Sequence, residues 1–119
     1  MPNKECKGKH AEQQARYYLQ RQGLIFIMEN YYCRQGEIDL IMQDADQLVF
    51  VEVKYRKTSI YGSGAEFVTP QKQRKIIYTA RHYLHQHKLT EQYSSRFDIV
   101  SIEPASIQWI KSAFDTCGS

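Results

Sequence analysis

A chain of 119 residues has room for one domain around one core, and 42% hydrophobic, 13% aromatic and 24% charged residues exclude a disordered chain. The polar start from Met1 to Gln14 lacks the apolar stretch of a secretory signal, and no segment approaches the ~20 apolar residues of a membrane span. Cys6, Cys33 and Cys117 form no C-x-x-C pair and have no histidine at zinc-ligand spacing, so a cytoplasmic protein with reduced thiols and no membrane partner is expected; a net charge of +3 permits phosphate binding without requiring it.

Residues Lys9–Gln22 predict a helix, because Ala11, Ala15, Tyr18 and Leu19 share one stripe and Gly23 supplies a C-terminal stop. Glu12 borders that stripe, and a helix packed across the mouth of a site would aim it inward. Leu24–Met28 reads as a buried strand, followed by an irregular bend over Glu29–Gly36. Glu37–Gln43 and Leu48–Tyr55 are rich in β-branched and aliphatic residues, and the polar Asp44-Ala45-Asp46-Gln47 link makes them a hairpin.

After Lys57 a loop of about a dozen residues holds Gly62 and Gly64, without the spacing of a phosphate cradle; its length suits a segment that moves over bound substrate. Thr69 can cap a helix with Pro70 in its first position. Ile76, Ile77, Ala80, Tyr83 and Leu84 then mark an amphipathic helix to about His87. Arg96–Ile102 predicts a strand that is apolar on both faces, with Asp98 paired to Arg96, and Ile107–Lys111 a short edge strand beyond Pro104. The order α-β-β-β-α-β-(β) points to an α/β domain, a small mixed sheet flanked by helices, over residues 1–119.

Side chains alternate along a strand, so Glu37, Asp39 and Ile41 share one face of the first hairpin strand, and Phe50, Glu52 and Lys54 one face of the second. The other face is apolar, with Ile38, Leu40 and Met42 against Val49, Val51 and Val53. An even-numbered loop centred on Ala45 and Asp46 pairs 43 with 48 and 41 with 50, which sets Asp39 directly opposite Glu52. Two like charges about 4.5–5.5 Å apart at Cβ repel unless a cation lies between them, and Mg²⁺ or Mn²⁺ commonly takes one or two carboxylates with waters and substrate phosphate. Lys54, two residues beyond Glu52, could stabilise a phosphoryl oxygen or help deprotonate the attacking water. The plainer alternative is a salt-bridged hairpin of Asp39 and Glu52 with Lys54 and Arg56. Carboxylates in a largely apolar sheet need a partner in either case.

The runs Gly36-Glu37-Ile38-Asp39-Leu40-Ile41 and Leu48-Val49-Phe50-Val51-Glu52-Val53-Lys54-Tyr55-Arg56 resemble the YraN family of small bacterial proteins, predicted nucleases similar to archaeal Holliday junction resolvases. The resemblance extends to Glu12, Ala15, Tyr18, Leu19, Gly23, Asn30, Arg34, Lys72 and Arg96–Val100; Ala11 departs from it, where many members carry Gly. It implies a restriction-endonuclease-like fold with a D…E-x-K site whose catalytic set corresponds to Glu12, Asp39, Glu52 and Lys54.

Arg34, Arg56, Lys57, Lys72, Arg74 and Lys75 are candidates for nucleic-acid phosphates, with ordinary surface positions as the plainer reading; Lys72 lies one turn before Ile76 on the inward stripe and is expected to point to the site. His82, His85 and His87 do not form one ligand set, and Tyr31, Tyr32, Tyr55 and Tyr61 suit either base stacking or core and rim packing. The leading expectation is a Mg²⁺- or Mn²⁺-dependent endonuclease on DNA, with Asp39 and Glu52 on the metal. A non-catalytic nucleic-acid-binding or adaptor domain, and a nuclease for RNA, flaps or junctions, remain alternatives. Resolvase action would need a homodimer, for which the edge strand is the candidate contact.

Overall fold

The structure, a computed structural model, describes residues 4–56, 68–89 and 93–115. Helix α1 spans Lys4–Arg21 and buries Ala11, Ala15 and Leu19 at helical spacing. Gly23 follows at φ 101°, a conformation strained for any other residue; its N–H reaches the Gln20 carbonyl at 3.0 Å and the Leu24 N–H the Leu19 carbonyl at 3.0 Å, which closes the helix end.

Strands β1 (Ile25–Cys33), β2 (Gly36–Asp44) and β3 (Gln47–Tyr55) form an antiparallel meander. Helix α2 (Pro70–Gln86) then crosses the sheet and returns the chain to β4 (Ser94–Ile102), parallel to β3, and β5 (Ile107–Phe114) adds an antiparallel edge. The spatial order is β1-β2-β3-β4-β5. A parallel neighbour demands a long crossover, and α2 with its flanking segments is that connection. Thr69 caps α2 by accepting the Lys72 N–H at 3.1 Å, with Pro70 in the first turn.

The helices lie on opposite faces. On one, Ile76, Ile77, Ala80 and Tyr83 of α2 pack on Ile41, Phe50, Phe97 and Ile99; on the other, Ala11, Ala15 and Leu19 of α1 pack on Leu40, Met42, Val49, Val51 and Val100. The central strands β3 and β4 are therefore apolar on both sides. No helix among the described residues is long and apolar enough to cross a membrane. The expected mixed α/β sheet between helices is present, compatible with a small nuclease-like fold, and the final strand is a full element.

Three local readings differ. The strand expected to be buried over Leu24–Met28 is the start of β1 at the edge of the sheet, where Ile25 is 61% exposed and only Leu24, just before it, is buried. The expected bend over Glu29–Gly36 is mostly strand: β1 continues to Cys33, which pairs with Gly36. A register shift between Phe26 and Met28 and a left-handed Asn30 (φ 55°) let this edge strand stay paired despite its mixed polarity. Ile38 belongs to the core under α2 with Ile41, not to the opposite core with Leu40 and Met42. The cause is a break in the ladder: the β2–β3 pairing stops at Leu40 and Val51, and the Val53 N–H goes to the Asp39 carboxylate at 2.8 Å instead of to a strand carbonyl. Lys57, Tyr61 and the Gly62-x-Gly64 segment lie outside the described residues.

Candidate active site

The two-residue turn at Ala45 (φ 55°) and Asp46 sets Asp44 against Gln47, and that register runs unbroken to Leu40 and Val51. One step further the same register would oppose Asp39 to Glu52, but the pairing ends before that step. There the strands part, and a cleft of about 350 Å³ opens between the break and the start of α2, lined by Gly36, Glu37, Asp39, Glu52, Thr69, Gln71, Lys72, Lys75 and Ile76. A Cβ at Gly36 would sit 3.0 Å from Thr79 Oγ1 on α2, so a larger residue there would push that side chain aside.

Glu52 is buried, 7% exposed, and its carboxylate meets Lys72 Nζ at 2.8 Å and Lys54 Nζ at 3.8 Å. The two lysines respond in opposite directions. Burial and the neighbouring Lys72 ammonium hold Lys54 below the usual lysine range, against the pull of Glu52 and Asp39. Burial alone would lower Lys72 as well, but its bond to Glu52 and the Glu52 charge outweigh that and raise it. Lys72 is thus the firm cation of the cleft, and Lys54 is the amine that gives up its proton more readily.

Burial, then the charge of Glu52, push the Asp39 carboxyl up to about 8, with the Val53 N–H opposing them and Glu12 and Glu37 adding to them. Glu12 approaches from α1, on the other side of the break. Burial raises it, with Glu37 and Glu29 adding, while hydrogen bonds from Asn30 and Asp39 oppose the rise. Asp39 can donate to Glu12 only while it carries a proton, which its elevated value allows. The slip that moves Ile38 across the sheet therefore puts Asp39 within reach of both layers.

Among the described residues no three His, Cys, Asp or Glu side chains close into a metal cage. Asp39 and Glu52 form an all-oxygen pair, a donor set that fits Mg²⁺ or Mn²⁺ completed by waters and phosphate better than it fits a softer metal. The crowding that holds a proton on Asp39 is what a cation would relieve.

Of the residues singled out in the sequence, Glu12, Asp39, Glu52, Lys54 and Lys72 come together here. Lys75 lines the cleft; Arg74 is exposed on the outer side of α2, Arg34 is exposed in the turn beside Gly36, and Arg56 follows β3 with its N–H on the Ile102 carbonyl at 2.8 Å. Asp98 is apart from the cleft, and it accepts from Arg96, Trp109 and Ser112. His82 accepts from or donates to the Tyr31 hydroxyl at 2.6 Å, and His87 stacks on Tyr83 with ring centroids 4.4 Å apart. Asn30 has no role that periodicity reveals, yet it is the partner of Glu12; an asparagine, the non-glycine residue most tolerant of positive φ, in a mixed-polarity stretch is the available signal.

The model of the uncharacterised protein family UPF0102 matches residues 11–102. Similar proteins include UPF0102 proteins of Legionella pneumophila (46% identical over 111 residues, 92% of this chain and 94% of the relative) and Coxiella burnetii (51% over 109 residues, 91% of each). Another, from Psychromonas ingrahamii, is 53% identical over 110 residues, 91% of this chain and 88% of its own.

Proposed function

The chain belongs to UPF0102, the YraN family, and on that premise we propose that it is a metal-dependent endonuclease hydrolysing phosphodiester bonds in DNA, branched or junction DNA included. The observation that carries the reading is Asp39, a carboxylate pushed up to about 8 by burial and by Glu52 opposite it, with Lys54 on the Glu52 strand. An inert hairpin has no use for such crowding, whereas a site that exchanges a proton for a cation does.

Asp39 and Glu52 would hold Mg²⁺ or Mn²⁺, which supplies Lewis-acid charge at a phosphoryl oxygen and acidifies water. Glu12 would hold the protonated, metal-free Asp39 through their shared hydrogen bond and release it when Asp39 ionises to take the cation. Lys54, held below the usual lysine range, can take a proton from the attacking water or donate to the phosphate. Lys72, 44% exposed, can move from Glu52 to a phosphoryl oxygen. On this reading the protein works in the cytoplasm, and cutting a junction symmetrically would need a second copy, with β5 as the available edge.

A second reading, a nucleic-acid-binding or adaptor domain that keeps the fold, is favoured by one observation: Lys72 already neutralises Glu52 at 2.8 Å. The deciding experiment is cleavage of labelled duplex, single strand, flap, four-way junction and RNA with Mg²⁺, Mn²⁺ or EDTA, comparing the native chain with Glu52→Ala and Lys54→Ala. Metal-dependent cutting lost in both variants is expected. Native and variant proteins that bind equally and cut nothing would establish the adaptor reading.

A further inference from the structure

Helix α2 carries Lys72, Arg74, Lys75 and Arg81 and no acidic residue. Its buried side is Ile76, Ile77, Thr79, Ala80 and Tyr83. Away from that side, Arg74, Tyr78, Arg81 and His85 are all exposed and stand at i, i+4, i+7 and i+11. At about 100° and 1.5 Å per residue, these four stay within roughly 60° of arc and form a stripe about 16 Å long. Among the described residues neither Arg74, Lys75 nor Arg81 has an ion-pair partner.

Charge is segregated across the cleft. Lys72, Arg74 and Lys75 occupy the first turns of α2, where the positive end of the helix dipole makes cations unfavourable unless an anion answers them. Across the cleft, Glu12, Glu29 and Glu37 crowd one another. At the cleft a polyanion meets these carboxylates on one side and Lys72 and Lys75 on the other, which favours approach along α2.

We propose that the outer stripe of α2, Arg74, Tyr78, Arg81 and His85, is the track along which the sugar–phosphate backbone of DNA runs to the cleft, entering past Lys75. Arginines two turns apart bracket consecutive contacts, and the Tyr78 hydroxyl between them can donate to a phosphate oxygen. No base edge is read by such a stripe, so binding is independent of sequence. The track is a binding surface in its own right and rests on the endonuclease reading only for the fate of the strand it delivers to the cleft.

The test is fluorescence anisotropy of a short labelled duplex in EDTA across a range of salt, for the native chain and the double variant Arg74→Gln/Arg81→Gln. Affinity should fall roughly tenfold or more, and the slope of log affinity against log salt should shrink by about 2. A control variant, Arg21→Gln/Lys111→Gln, removes the same charge from α1 and β5 and should leave both unchanged. Equal losses in the two variants, or a native chain that does not bind even at low salt, would overturn the track. Cleavage assays separate the two proposals: loss of binding in the track variant with no native cutting leaves the track standing and the endonuclease reading lost. Cutting by the track variant at native KM does the reverse.

Discussion

Asp39 and Asp98 invite comparison, because each sits at a break in a strand ladder and each accepts a backbone N–H from the neighbouring strand: Val53 at 2.8 Å for Asp39, Ser112 at 2.9 Å for Asp98. Asp98 also receives Arg96 Nε at 3.1 and 3.2 Å and Trp109 Nε1 at 2.9 Å, and Arg96 continues to Asp44 at 2.8 Å, tying β4 to the β2–β3 turn. Asp39 has carboxylates for neighbours, Glu52, Glu12 and Glu37. A saturated carboxylate fastens strands. An under-satisfied one keeps its interaction energy for something that arrives from outside.

The largest way to break this contrast is Asp98→Ala. It leaves Arg96 Nε, Trp109 Nε1 and the Ser112 N–H without their acceptor, while the guanidinium keeps Asp44 and Gln47, and should cost about 3–5 kcal/mol in urea unfolding. A loss under about 1 kcal/mol would show that Asp98 is not the fastening point.

Asp39→Asn should do the opposite and raise stability. A carboxyl at about 8 in the folded chain and near its ordinary value of 3.8 when unfolded binds its proton more tightly in the folded state. Native stability from this group is present below the unfolded value, falls as pH rises between the two, and stays lost above about 8. The asparagine keeps an acceptor for Val53 and does not titrate, so its Tm advantage should grow from about pH 4 to about pH 8 and then level off, while Mn²⁺ binding is lost. A Tm difference that is flat across that range would mean the carboxyl is not crowded.

Smaller and sharper is Lys72→Met. Glu52 loses its 2.8 Å partner, and because Lys72 is 44% exposed the stability cost should be near ~1 kcal/mol. Titration calorimetry should show Mn²⁺ binding a few-fold tighter, since a competing cation is gone. Weaker binding would make Lys72 a helper of the metal site and not its rival.

The hairpin is legible because a polar four-residue link, clean alternation and an even loop leave one register, which holds from Asp44 and Gln47 to Leu40 and Val51, one step short of the expected pairing of 39 with 52. Thr69, Pro70 and the buried stripe of α2 are legible for local reasons: a side-chain cap, a fixed φ and a helical period. The slip at Ile38 is not, since it arises where a side chain displaces a backbone partner and period-two reasoning assumes no such exchange. Asp39 and Asp98 are told apart only in part, since Arg96 two residues away on the same face predicts the ion pair of Asp98, whereas Trp109 and the Ser112 N–H for Asp98, and Glu12 beside Asp39, come only with tertiary packing. Residues 29–33 read as a bend because of their mixed polarity, yet an edge strand needs only one neighbour and can tolerate polar residues.

The parallel pairing of β3 with β4 also dictates an order of assembly. The meander β1–β2–β3 is made of contacts near in sequence and can close on a microsecond scale, whereas β4 can join β3 only after α2 has crossed the sheet. The paired part of the hairpin up to Leu40 and Val51 thus forms early, and Lys72 reaches Glu52 with the late step. Closing the cleft therefore waits for the slow crossover, and the ion pair of Lys72 with Glu52 is among the last contacts made.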